Sequence, residues 1–222
     1  MSFLEIKQLK KYYRKDGQQR LVINIPHFQL ERGEQMVLIG KSGLGKSTLL
    51  HLIAGLAQIS EGEIFVDGNP IHLMSESKRD AYRGKHIGMI FQKYHLLPGL
   101  SALENVMASV ILNGKPNKQL AVEVLSRLGL ENRIHDLPET LSSGQQQRVA
   151  IARSLAIGPQ LILADEPTAG LDKENATIVL NLLKEESIRL NASLILVTHD
   201  EFVKKQFDKN IDLKELSKAS HE

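Results

Sequence analysis

Nine residues, Gly40-Lys41-Ser42-Gly43-Leu44-Gly45-Lys46-Ser47-Thr48, constrain this chain more than any other stretch of it. They follow the apolar run Met36 to Ile39 and open the apolar helical segment Leu49 to Ala57, so a strand, a glycine-rich loop and a helix stand in that order. The glycines let the backbone curl until successive N–H groups point inward. The helix N-terminus adds a fixed partial positive charge where an anion would lie. In this pattern Lys46 reaches the β- and γ-phosphates of a nucleotide, the Ser47 hydroxyl ligates Mg²⁺, and Thr48 supports the α/β-phosphates. The alternative is a glycine-rich turn that only caps a helix, and the complete pattern in its strand-to-helix context argues against it.

The rest of the 222 residues fit an α/β fold around that loop. Apolar runs at Met36 to Ile39, Ile87 to Phe91, Leu161 to Ala164 and Leu194 to Val197 are continuous and separated by helix-length segments, as in a buried parallel sheet. Glu63 to Val66, ended by Asp67-Gly68, reads as a further strand at the edge of that region. Ahead of it, Leu4 and Ile6, then Leu21, Ile23 and Ile25, then Phe28 and Leu30 recur at short spacing, broken by Asp16-Gly17 and by Pro26. This predicts an antiparallel β layer. Between Gln92 and Pro159 the strand signal gives way to helical spacing at Leu103 to Leu112, Lys118 to Leu128 and Gln145 to Ile157. A helical subdomain over residues 92–158 is therefore expected to interrupt a core formed by residues 1–91 and 159–222. The last stretch, Phe202 to Glu222, is short and charged, and reads as a final helix or a frayed end.

Two adjacent carboxylates, Asp165 and Glu166, end the strand Leu161 to Ala164. Side chains alternate across a strand, so the two acids take different work: Asp165 holds Mg²⁺ largely through water, and Glu166 polarises the water that attacks the γ-phosphorus. A merely polar strand end before Pro167 is the competing reading. Gln92 and His199 follow the strands ending at Phe91 and Val197, at the carboxyl ends where open α/β sheets bind ligands. There Gln92 could touch Mg²⁺ or the attacking water, and His199 could donate to the γ-phosphate.

Composition removes other classes. Twenty-eight Lys and Arg against 26 Asp and Glu give a net charge of only +2, too balanced for a nucleic-acid footprint. Cysteine is absent, which excludes disulfides and thiolate metal sites. No His-Glu-x-x-His run supports zinc. The apolar runs are strand-length, far short of the ~20 residues that cross a bilayer, so any membrane role is expected to come through a partner.

Together with Leu141-Ser142-Ser143-Gly144-Gln145-Gln146-Gln147-Arg148, these elements resemble the ATP-binding subunit of ABC transporters from about Tyr13 to His199, in the family's order. In that resemblance Gly40 to Thr48 is the Walker A loop, Gln92 the Q-loop, Leu141 to Gln145 the signature, Leu161 to Glu166 Walker B, Ala169 to Asp172 the D-loop and His199 the switch histidine. Phe91 to Pro98, Leu103 to Val106 and the triple glutamine look most like the lipoprotein-releasing and macrolide-exporting branch. Tyr13 is placed like the aromatic that stacks on adenine; Tyr12 competes with it, and a plain core tyrosine of the hairpin is the third possibility. Three departures stand out. Ser143 replaces the first signature glycine, Gly170 stands where alanine is common, and the tail lacks the usual strand and Asp-Gly turn after the switch histidine.

The resemblance implies a Mg²⁺-dependent ATPase that pairs head to tail, ATP on one copy's loop being completed by the Ser142, Gly144 and Gln145 surface of the other. Loss of the γ-phosphate removes contacts that favour the closed pair, so the subunits part. It further implies a transmembrane permease as partner and a place on the cytoplasmic face of the cell membrane; Tyr94 to Leu100 are the candidates for the contact surface, with ordinary packing of that apolar stretch as the competing reading. The alternatives are a regulatory ATPase that signals through a membrane partner without moving cargo, and a binding module that hydrolyses little.

Overall fold

A computed structural model describes residues 2–15, 17–112, 114 and 116–217. The chain runs through β1 (Leu4–Lys15), β2 (Gln18–Leu30), β3 (Gln35–Ile39), α1 (Lys46–Ile53), β4 (Glu61–Val66), β5 (Asn69–Pro70), α2 (Glu76–His86) and β6 (Ile87–Ile90). It continues through α3 (Ala102–Leu112), α4 (Lys118–Arg127), α5 (Ser143–Leu155), β7 (Leu161–Asp165), α6 (Lys173–Arg189), β8 (Ser193–Thr198), α7 (Glu201–Lys204), β9 (Asn210–Asp212) and α8 (Leu213–Leu216). Two compact units result, one from the residues up to Arg83 with those from Ser193 onward, the other from Gly84 to Ala192.

In the first unit β2-β1-β4-β5 form an antiparallel sheet. The alternation seen in the sequence turns Leu4, Ile6, Ile23, Ile25, Phe28 and Leu30 inward, all buried. A second set of strands is parallel: β3 pairs with β8 on one side and β9 on the other. Met36 to Ile39 and Leu194 to Val197 are all buried, as continuous apolar strands covered on both faces must be. Helix α1 adds Leu49, Leu50, Leu52 and Ile53 to that core.

The second unit holds the parallel pair β6 and β7 together with α3 to α6. Helix α3 buries Ala102, Leu103, Val106 and Val110 at helical spacing. Glu186 on α6, with a side chain 7% exposed, joins Arg127 of α4 at 3.0 Å and Arg189 at 2.7 Å. A carboxylate so far from water is tolerated because both cations reach it.

Several expectations change. Glu63 to Val66 belongs to the antiparallel layer: β4 pairs with β1, Leu4 facing Val66 and Ile6 facing Ile64. Only Ile64 and Val66 of β4 are buried, a half-buried alternation that suits that sheet and not a doubly covered one. Pro26 does not break its strand. It lies in β2, at the edge of the sheet, where a missing N–H removes no ladder bond. Nearby, the Asn24 N–H donates to Ser217 Oγ at 3.2 Å. The tail does carry a strand, β9, and two short helices, α7 and α8, each capped by an aspartate, Asp200 and Asp212. Asp16 of the expected hairpin turn and residues 218–222 of the tail lie outside the described residues.

Candidate functional site

The phosphate loop belongs to the first unit. Ile39 pairs with Thr198, and the Gly40 N–H donates to the Thr198 carbonyl at 3.2 Å, so the loop begins at the carboxyl end of a fixed parallel pair. His199, the first residue beyond β8, is exposed at that same end. The loop is pinned by Leu44, which is buried and lies under Gly40: a Cβ on Gly40 would sit 3.2 Å from Leu44 Cδ1. Lys41, Ser42 and Gly43 are exposed above that anchor.

Gly45 is the N-cap of α1 at φ 87°, in the left-handed region. A side chain there would also collide, with Ile23 Cδ1 at 2.8 Å and Val22 Cγ1 at 3.1 Å. Sterics and backbone thus both demand glycine at the point where the loop turns into the helix. The Lys46 side chain is buried, 7% exposed, and its Nζ donates to the carbonyls of Gly40 at 2.7 Å and Lys41 at 3.4 Å. The ammonium is thereby held inside the curve of the loop. Ser47 is exposed and Thr48 half-buried at the start of α1.

Tyr13 leaves the core reading behind: it is 44% exposed, with Lys11 Nζ 4.9 Å from its ring centroid. Tyr12, Tyr13, Arg14, Gln19, Ser60 and Glu61 line one cavity of about 500 Å³. Both tyrosines named from the sequence therefore border the same space, and the one with the open ring is Tyr13.

The carboxylates stand in the second unit. Asp165 is 7% exposed at the end of the wholly buried β7, and Glu166 is 8% exposed. Glu166 takes φ 48°, a left-handed backbone costing about 1–3 kcal/mol for a residue with a side chain. Such strain, at a buried acid, fits a group held for chemistry. The parallel register pairs Ile90 with Ala164, so Gln92 and Glu166 each lie two residues beyond paired strand ends. Gln92 is exposed.

The signature is built on α5. Ser142 is its N-cap: the Gln145 N–H donates to Ser142 Oγ at 3.3 Å, while the Ser142 N–H donates to Gln145 Oε1 at 2.9 Å. The helix begins at Ser143, not Gln145, because this capping box starts it two residues earlier. Ser143, the departure from the usual glycine, is exposed at the first helical position, where serine costs little. Gly144 is buried. A Cβ there would lie 2.7 Å from Asn175 Oδ1, which explains why this second glycine is kept. Asn175 is held in turn by Asp172, the N-cap of α6, through N–H to Oδ1 at 2.8 Å and Nδ2 to Oδ2 at 2.7 Å. These two bonds hold the Asp172 carboxyl below its usual range. Asn175 was not singled out in the sequence; the signal available was an asparagine three residues past a capping aspartate. Gly170 takes φ 77° with open space around it.

The ABC transporter family model matches residues 23–169. Curated relatives include the lipoprotein-releasing system ATP-binding protein LolD 2 of Rhodopirellula baltica, 41% identical over 215 residues, 93% of this chain and 84% of that protein. The LolD protein of Psychrobacter arcticus is 39% identical over 203 residues, 90% of each chain. Among solved structures, the dimeric ATP-binding cassette MJ0796 in a post-hydrolysis state with ADP and Pi superposes at TM-score 0.87, with 33% identity over 94% of this chain and 93% of that one. CbiO1 of Clostridium perfringens, part of the transporter complex cbiONQ, gives TM-score 0.83, 30% identity and coverage of 95% and 84%.

Proposed function

Because this chain belongs to the ABC transporter family, we propose that it binds and hydrolyses ATP as one subunit of a membrane transporter, pairs head to tail with a second copy, and drives a separate permease. The observation that carries this reading is the phosphate loop, with Gly45 forced into the left-handed region and the Lys46 ammonium drawn onto the Gly40 carbonyl. When ATP enters, Lys46 exchanges those carbonyls for β- and γ-phosphate oxygens, and the N–H groups of Ser42 to Thr48 take the remaining ones. Adenine stacks on Tyr13.

Ser47, Gln92 and Asp165 are the proposed holders of Mg²⁺. All three offer oxygen, the donor that a small hard cation selects, and few protein ligands suffice where phosphate supplies others. Held there, Mg²⁺ would supply positive charge to offset that of the phosphate oxygens. Glu166 then accepts a proton from the attacking water, and His199 orients the terminal phosphate. Ser142 and Gly144, at the N-terminus of α5, present a hydroxyl, an N–H and the helix dipole to the γ-phosphate bound by the other copy. Cleavage removes the group on which those contacts depend.

Among the described residues no helix is long and apolar enough to cross a membrane. The family relationship supports assigning the transmembrane path to a separate permease, with this subunit at the cytoplasmic face of the cell membrane. The curated relatives make a lipoprotein-releasing permease the first partner to test by co-purification from detergent extracts. The functional test is phosphate release from Mg-ATP, which Lys46→Ala should abolish, together with sedimentation of Glu166→Gln in excess ATP. If Glu166→Gln stays monomeric in ATP both alone and beside its permease, the paired-subunit reading fails.

A further inference from the structure

Helix α5 carries a cation near the end opposite to the signature, inside the otherwise small and apolar run Val149 to Leu155. Arg153 Nη1 donates to the His95 carbonyl at 2.6 Å and Nη2 donates to the Tyr94 carbonyl at 3.0 Å. Burial pulls the Arg153 pKa below the usual arginine value, yet a guanidinium remains charged at any physiological pH. A desolvated cation on two neutral carbonyls is an expensive arrangement, and it is spent on a short exposed segment.

That segment is held from several sides. His95 takes φ 48°, a left-handed conformation rare outside glycine, and its ring meets Phe91 edge-on at 5.4 Å between centroids. Asn105, fully buried, accepts the Leu97 N–H at 2.7 Å and donates to the Leu100 carbonyl at 2.8 Å. On the other side of Gln92, the Ser154 hydroxyl bonds the Met89 carbonyl of β6. The Arg153 carbonyl itself accepts from Ser109 Oγ at 2.8 Å, which fixes α5 against α3. Consecutive residues of α5, Arg153 and Ser154, thus grip the chain on both sides of Gln92, at Tyr94-His95 and at Met89.

We propose that Arg153 is a positioning residue for Gln92, setting where its amide lies relative to Glu166 and tying that position to the signature end of the same helix. The inference rests on the reading of Gln92 as a ligand of Mg²⁺ or of the attacking water. The planar fork of the guanidinium serves this best, because a lysine ammonium has no pair of parallel N–H groups to span two successive carbonyls and can hold only one of them well.

The test compares Arg153→Met, which keeps an apolar stem, with Arg153→Lys, Gln92→Ala and the Arg153→Met/Gln92→Ala double variant. Arg153→Met should lower kcat about tenfold, the scale of losing a well-placed catalytic contact, and raise the Mg²⁺ concentration needed for half-maximal activity while leaving KM for ATP near its original value. Arg153→Lys should recover part of the loss. The double variant should be no worse than Gln92→Ala, since both changes act through one group. Hydrogen exchange of the amides of residues 92–97 should accelerate in Arg153→Met. Unchanged exchange there, or a double variant whose loss is the product of the single losses, overturns the proposal. If Gln92→Ala leaves kcat and Mg²⁺ dependence intact while exchange still accelerates, the reading of Gln92 fails and the clamp stands.

Discussion

Gly144→Ala isolates a single steric contact. The added methyl would meet Asn175 Oδ1 at 2.7 Å and Cγ at 3.0 Å, closer than packed carbon atoms come, whereas Asn175 Cβ lies at an ordinary 3.4 Å. Asn175 cannot swing aside freely, because its Nδ2 is bonded to Asp172. An extra methyl in a full site costs about 1–3 kcal/mol. Alanine returns up to about 1 kcal/mol over glycine within a helix. The net is a loss of up to about 2 kcal/mol, which for a chain of this size lowers Tm by up to about 8 °C. In an Asn175→Ala background the obstructing amide is gone, and the same substitution should stabilise by about 1 kcal/mol through helix propensity alone. Denaturant unfolding of the four proteins in the cycle gives the coupling directly. A Gly144→Ala effect of equal size and sign in both backgrounds would refute the argument, because no contact with Asn175 would then be responsible. The single variant should also form less of the ATP-dependent pair, as the signature backbone shifts away from its partner's phosphate.

Two further outcomes are expected. Tyr13→Ala should raise KM for ATP about tenfold, since one base–aromatic stack contributes about 1–3 kcal/mol, while Tyr13→Phe should bind normally; a loss confined to Tyr12→Ala would move the stack to that residue. Tyr82 donates to the Val66 carbonyl at 3.0 Å, and burial together with the Asp67 charge raises its pKa from 10 to about 12. Its neutral form is favoured in the folded state, so its contribution is complete below pH 10 and declines as pH rises toward 12. Alkaline unfolding followed by circular dichroism should show that decline, and Tyr82→Phe should remove this component of it.

Much of the site could be read from the sequence because its signals are local. A continuous apolar strand, a glycine loop and an apolar helix follow one another without interruption, and Asp165-Glu166 close a strand of the same kind. What escaped depends on residues far apart. The alternation in Glu61 to Val66 shows a half-buried strand but not which sheet receives it; the pairing with Leu4 and Ile6 does. Asn210-Ile211-Asp212 is too short to show a period, and it becomes a strand through its pairing with β3. Arg153 bonds backbone carbonyls 58 and 59 residues away, acceptors that any residue type provides. An arginine inside Val149 to Leu155 was the visible sign. The contact between Gly144 and Asn175 likewise joins two segments whose own motifs said nothing of each other.

The rim formed by β2 bears on solubility. Thirteen residues of extended chain with an unshared side would ordinarily invite a stray strand to zip onto them and seed aggregates. Two successive outward positions are closed to that: Asn24 has already given its N–H to Ser217, and Pro26 has none to give. A visiting peptide finds no continuous ladder at the middle of the rim. If the subunits pair and part as proposed, their reversible meeting surface lies elsewhere, at the α5 signature, and this rim carries a lower risk of an irreversible one.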